Sequence, residues 1–181
     1  MATSVGLDNP VRIRDAVPSD ATAIAEVHVE SWRAAYAGLL PPMVLDGLSI
    51  AQRSRHWSHV LDPMSSDRVV VADRDGEVLG FAQVGPAHDA DTGSTTGQLG
   101  TLYLRSDTWG TGVGRQVHDA GLDRLVADGY DSAVLWMLST NARASRFYER
   151  QGWRLDGHIR IQQFGGAVVI DHRWGARLPL G

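Results

Sequence analysis

Between Gln98 and Trp153 the chain reads strand, glycine loop, helix, strand, cap and helix, an order that confines it to a layered α/β architecture. Leu99, Leu102, Tyr103 and Leu104 make a short β-tolerant run, and the turn-forming Arg105-Ser-Asp-Thr108 ends it. Gly110, Gly112 and Gly114 then alternate along a loop, where the missing Cβ atoms let backbone approach a ligand closely. Val113, Val117, Ala120 and Leu125 recur at helical spacing, Leu122 and Val126 widen the stripe, and Asp128-Gly129 supplies a stop. The glycine loop therefore opens a helix, whose unpaired amides and positive dipole end suit a phosphate or pyrophosphate. The same glycines also suit a plain strand-to-helix turn, and the loop alone does not separate the two readings.

The following segment narrows the choice. Ala133-Val-Leu-Trp-Met-Leu138 is a continuous apolar run of the length expected for a strand buried on both faces. Asn141 is placed to cap the next helix, which carries Ala144, Phe147 and Tyr148 before Gly152 closes it. Asn141, Ala144 and Tyr148 share a face. Phe147 reads as a packing aromatic, whereas the Tyr148 phenol needs a polar partner if buried and lies beside the cap at the mouth of the two strands. A nucleoside-triphosphate loop is excluded, because it needs a Gly-Lys-Ser/Thr ending and all 17 basic residues of this chain are arginine. A dinucleotide fingerprint counted from Gly110 places Arg115 at its last glycine position, and no second βαβ half follows.

Together these residues resemble the GNAT superfamily of N-acetyltransferases. That family shows Gln/Arg-x-x-Gly-x-Gly/Ala after its fourth strand and Asn-x-x-Ala-x-x-Phe-Tyr-x-x-x-Gly-Phe/Trp after its fifth. The second pattern is complete here from Asn141 to Trp153; in the first, Gly112 and Gly114 match while Trp109 stands in the Gln/Arg position. Ser31-Trp-Arg-Ala-Ala-Tyr-Ala-Gly-Leu-Leu-Pro41 is similar to the first two helices of one branch, so the likeness spans roughly residues 11–175.

The resemblance implies a mixed, mostly antiparallel sheet with helices on both faces and splayed fourth and fifth strands. It also implies acetyl-CoA as co-substrate. Backbone of Leu102, Tyr103 and Leu104 would bind the pantetheine arm, and amides of Trp109, Gly110, Thr111, Gly112, Val113, Gly114 and Arg115 would take the pyrophosphate. Asn141 belongs to the same cofactor-binding set, and the Arg115 side chain adds a phosphate contact. Tyr148 would be the acid that serves the departing thiolate. The acceptor is then a primary amine of a small molecule, a peptide or a protein; a noncatalytic acyl-CoA sensor of the same fold is the alternative. Many relatives place Glu near the start of the fourth strand, where this chain has Gln98, an amide that cannot act as a base. Glu30, His88 and Asp171 are the candidates for the acceptor side, each of which reads more readily as an ordinary surface or loop residue, and no base is assigned. Trp32 and Tyr36 read either as acceptor-pocket walls or as core of the first helix. Homodimers are frequent in the family, and the resemblance leaves that state open.

Elsewhere the pattern is regular. Val11–Arg14 alternates as a first strand, Pro18-Ser-Asp20 opens a helix lined by Ile24, Val27, Trp32 and Ala35, and a second helical region runs from Pro41 to about Leu61. Strands 68–72 and 78–84 flank the turn at Asp73–Gly76, residues 86–97 form a polar loop, and 158–164 pairs with 167–174 about Gly165-Gly166. Residues 1–181 are expected to form one domain. The absence of cysteine removes disulfides, thiolate metal sites and a cysteine acyl-enzyme, so transfer is expected to be direct. His56 and His59 lie three apart on a helix without a supporting ligand pattern, so no metal is expected. A net charge of −4 without basic blocks argues against nucleic acid. With no membrane-length apolar stretch and no signal-like features in Met1-Ala-Thr-Ser-Val5, no membrane partner and a cytoplasmic location are expected.

Overall fold

The computed structural model describes residues 9–180; Met1–Val5 and their signal reading lie outside them. The strands are β1 (Arg12–Asp15), β2 (Arg68–Arg74), β3 (Glu77–Pro86), β4 (Thr96–Leu104), β5 (Ser132–Leu138), β6 (Arg154–Phe164) and β7 (Ala167–Arg177). The helices are α1 (Ala21–Ala35), α2 (Pro42–Asp46), α3 (Ile50–Val60), α4 (Val113–Ala127) and α5 (Ala142–Arg150). All seven strands join one sheet in the order β1-β2-β3-β4-β5-β7-β6. Every pairing is antiparallel except β4 with β5.

Strand β2 shows why helices cover both faces. Val69 and Val71 enter a core with Ile24, Ala25 and Trp57 of α1 and α3, while Val70 and Ala72 enter a second core with Val117, Leu122 and Leu125 of α4. Burying a side chain of this size contributes about 1.5–3 kcal/mol, so one apolar run ties two helix layers to the sheet. The α5 residues Tyr148, Ala144 and Phe147 join the α4 side. A third cluster, Leu40, Leu45, Leu138 and Val169, seats the α1–α2 connection on β5 and β7.

The succession of strands along the chain agrees with the sequence pattern, and one helix does not. The region expected to run from Pro41 to Leu61 is two helices, broken at Gly47–Ser49. Ser49 caps α3 by accepting from the Gln52 amide at 3.3 Å, and Arg33 donates to the carbonyls of Leu45 (3.3 Å) and Leu48 (3.2 Å), which fixes the break. The polar loop is shorter than expected, since β4 already begins at Thr96.

The parting of β4 from β5 has a local cause. The strands pair only at Thr96–Ser132, Gly97–Ala133 and Gln98–Val134. Just beyond, β4 carries a bulge: Leu99 faces Val84 and Thr101 faces Gln83, which leaves Gly100 as an extra residue. A bulge bends and twists its strand. From Leu99 onward β4 stays with β3, β5 stays with β7 through Leu138, and the two diverge. At the closed end Gly97 lets α4 approach, because a Cβ there would lie 2.7 Å from Leu125 Cδ2.

Candidate functional site

A cavity of about 510 Å³ opens where β4 and β5 part, within the usual size of a small-molecule site. Leu102, Tyr103 and Leu104 of β4 form one wall, Trp109, Gly110, Gly112, Gly114 and Arg115 the loop side, and Asn141 and Tyr148 the α5 side. Two of the sequence candidates stay off the wall. Val113 is buried in the α4 core, and the Thr111 hydroxyl donates to the Thr108 carbonyl at 2.6 Å.

The loop ends in a helix start that nothing caps. Gly112, at φ 91°, occupies the N-cap of α4 in the left-handed region and offers no side chain to the first turn. The amides of Trp109 and Thr111 bond within the turn, to Ser106 and Thr108 carbonyls at 3.3 Å. Among the described residues the amides of Gly110, Gly112, Val113, Gly114 and Arg115 meet no acceptor. Their N–H groups and the positive end of α4 give this corner the character of an anion seat.

Asn141 caps α5, as its position suggested, by accepting from the Ala144 amide at 3.1 Å. That cap places Tyr148 at the base of the cavity, 8% exposed, with a hydroxyl that has no hydrogen-bond partner among the described residues. Burial, and then the neighbouring Tyr103, push its phenol well above the ordinary value, so it stays protonated throughout the physiological range. Phe147 packs edge-on against Tyr148 and His118, at 5.2 and 5.7 Å between centroids.

The charge on the walls is one-sided. Among the described residues Arg115, Arg143, Arg146 and Arg150 line the cavity and no carboxylate does, in a chain whose net charge is −4. The Arg143 guanidinium lies 3.3 Å from the centroid of the Trp109 ring, and burial lowers its pKa. Trp109, which replaces the Gln/Arg of the first motif, therefore carries a guanidinium on its face, while its indole N–H donates to the Leu104 carbonyl at 3.3 Å. The three arginines of α5 were missed by sequence reasoning. Their signal was the spacing i, i+3, i+7 along one helix face, beginning in the first turn where the dipole disfavours a cation.

The acceptor-side candidates divide. Tyr36 lines the cavity beside Ser31 and Ala35, and burial raises its pKa, with Tyr103 adding to the effect. Trp32 stands behind it at 4.9 Å and joins the third core. The Thr101 hydroxyl also borders the cavity, buried and without a partner among the described residues. Glu30 is committed elsewhere, accepting from the Ser106 amide at 3.1 Å and from its hydroxyl at 2.5 Å. Asp171 is held by Arg160 at 2.8 Å and by Gln162, and His88 is exposed on the β3–β4 loop. Neither lines the cavity, and nor does Gln98, which pairs with Val134 at the closed end.

The sequence model of the Acetyltransferase (GNAT) family matches residues 26–153. The chain is 33% identical over 132 residues to the uncharacterized N-acetyltransferase YuaI of Bacillus subtilis, covering 72% of this chain and 73% of that one. It is 28% identical over 170 residues to the probable N-acetyltransferase Rv2775 of Mycobacterium tuberculosis, 90% of each. Among solved structures, the PaiA N-acetyltransferase of Thermoplasma acidophilum, crystallised with coenzyme A, shares the fold. Its TM-score is 0.73 at 17% identity, over 93% of this chain and 99% of that one.

Proposed function

The chain belongs to the GNAT acetyltransferase family, and on that premise we propose that it moves an acetyl group from acetyl-CoA directly to a primary amine of a small molecule, peptide or protein. One observation carries the reading: the cleft between the parted strands joins an uncapped helix start to walls that, among the described residues, hold four arginines and no acid. Such a site suits a long, narrow, polyanionic thioester, and PaiA, with the same fold, was crystallised with coenzyme A. Residues 1–181 act as one acetyltransferase unit in this reading.

Acetyl-CoA supplies an acetyl group activated as a thioester. Backbone groups of Leu102, Tyr103 and Leu104, which face no β5 partner, hold the pantetheine arm as an added strand. The free amides of Gly110 and of Gly112–Arg115 take the pyrophosphate, with Arg115 and Arg143 beside them and Asn141 fixing the start of α5. A strand amide of β4 stabilises the oxyanion as the amine attacks the carbonyl. Tyr148 keeps its proton at the phenol oxygen and donates a hydrogen bond to the departing sulfur. A thiol has a reference pKa of about 8.5, so full transfer from a phenol raised above its own about 10 is uphill, and hydrogen bonding does the stabilising.

Among the described residues no carboxylate on the cavity wall is available to deprotonate the incoming ammonium, so water at the cavity mouth accepts that proton. Consequently kcat/KM should rise with pH toward the acceptor's own pKa, about 10.4 for an alkylamine. A plateau already reached near pH 7 would instead assign a protein base. The missing carboxylate also favours a second reading, a noncatalytic acyl-CoA sensor. Thiol release from acetyl-CoA with a panel of amines separates the two, because a sensor binds the thioester and releases nothing. No helix of the described residues is long and apolar enough to cross a membrane. A cytoplasmic location is part of the proposal.

A further inference from the structure

We propose that Arg146 and Arg150 of α5 seat the 3′-phosphate of coenzyme A, so that this chain distinguishes coenzyme A from its 3′-dephospho form. The inference rests on the acetyl-CoA reading above and goes beyond it. Coenzyme A carries two separate anions, the diphosphate and, one ribose away, the 3′-phosphate. The amides of the glycine loop account for the diphosphate alone. Arg143 belongs with that loop, because its guanidinium lies on Trp109.

Arg146 and Arg150 lie farther along the same helix face, one and two turns beyond Arg143, and both border the cavity. Phe147, between them in sequence, touches the loop: a Cβ built on Gly114 would sit 3.9 Å from Phe147 Cε2. The two arginines therefore flank the pyrophosphate corner without being part of it. Each is exposed, and among the described residues neither forms an ion pair, although seven other arginines of this acidic chain do. Their spacing at i and i+4 brings two like charges together, an arrangement that is mildly destabilising until an anion bridges it. Guanidinium groups match phosphate oxygens in fork geometry.

Calorimetric titration with coenzyme A and with 3′-dephospho-coenzyme A tests the assignment. The wild-type chain should bind coenzyme A about tenfold more tightly at low salt, the low end for hydrogen bonds to a charged group, and the gap should narrow as salt rises. The double variant R146Q/R150Q should bind both ligands equally, at the wild-type level for the dephospho form, with its thermal midpoint unchanged. Neutralising Arg55, exposed on α3, should leave the gap intact. Equal affinities in the wild-type chain, or a gap that persists in the double variant, would overturn the assignment while leaving the acetyl-CoA reading in place. Binding of neither ligand would overturn both.

Discussion

His28 and His118 are the two histidines buried in this molecule, one in each core beside the sheet, and each is spoken for by a tryptophan. Trp57 Nε1 donates to His28 Nδ1 at 3.2 Å on the α1–α3 side. Trp153 Nε1 donates to His118 Nε2 at 2.9 Å on the α4–α5 side, and His118 Nδ1–H in turn meets Asp119 at 2.8 Å. Both rings must be neutral to accept, and burial lowers the pKa of each. Trp153 is the last residue of the second motif, so the motif's final aromatic is here a structural anchor for α5. His118→Phe should leave the indole N–H unpaired and cost about 1–3 kcal/mol in urea unfolding, with His118→Gln recovering part of it. Tyr148→Phe should lower kcat by about a hundredfold, the low end for losing one hydrogen-bond donor to a developing charge, while the calorimetric affinity for coenzyme A stays within twofold. An unchanged kcat would remove the phenol from the chemistry.

At the scale of elements, two turns decide the site. Gly112 enters α4 at φ 91°, where an L side chain costs about 1–2 kcal/mol. Gly112→Ala should therefore lower the thermal midpoint by a few degrees and weaken coenzyme A binding severalfold, because the relaxed turn re-aims the free amides. Unaltered affinity would show that the left-handed entry is not needed for binding. The glycine loop and the Asn141 cap were legible because a backbone conformation and a hydrogen bond each select a residue type. The break between α2 and α3 was not. Gly47, Leu48 and Ser49 are all tolerated within a helical pattern, and the carbonyls that Arg33 ties down are 12 and 15 residues away along the chain. The bulge at Gly100 was equally silent, since a bulge is defined by the partner strand's register.

For the whole molecule, the paired histidines set an acid limit. His28 has its pKa lowered to about 3, from an unfolded value near 6.5. The unfolded chain therefore binds the proton first, and stability present above pH 6.5 is lost as pH falls toward 3, at up to about 1.4 kcal/mol per unit. His118 acts in the same direction. Asp20, held by Arg14 at 2.7 Å and lowered below the usual carboxylate range, adds its loss only below about pH 4. Urea midpoints should thus fall between pH 6.5 and 4.5, and His28→Gln should flatten that slope; a midpoint independent of pH over this range would contradict the neutral pairs. The local pattern of residues determined the order of strands along the chain, helices α1, α4 and α5, and the uncapped glycine entry, because these depend on neighbours within a few residues. What only the folded chain decided is the cleft itself and its sign. Ser31 and Tyr36, Thr101, Trp136 and Arg146 come from four distant segments to one wall, and the acids that make the sequence negative are engaged elsewhere. Net charge is a sum over residues, whereas the potential inside a cavity depends on which of them the sheet brings within reach.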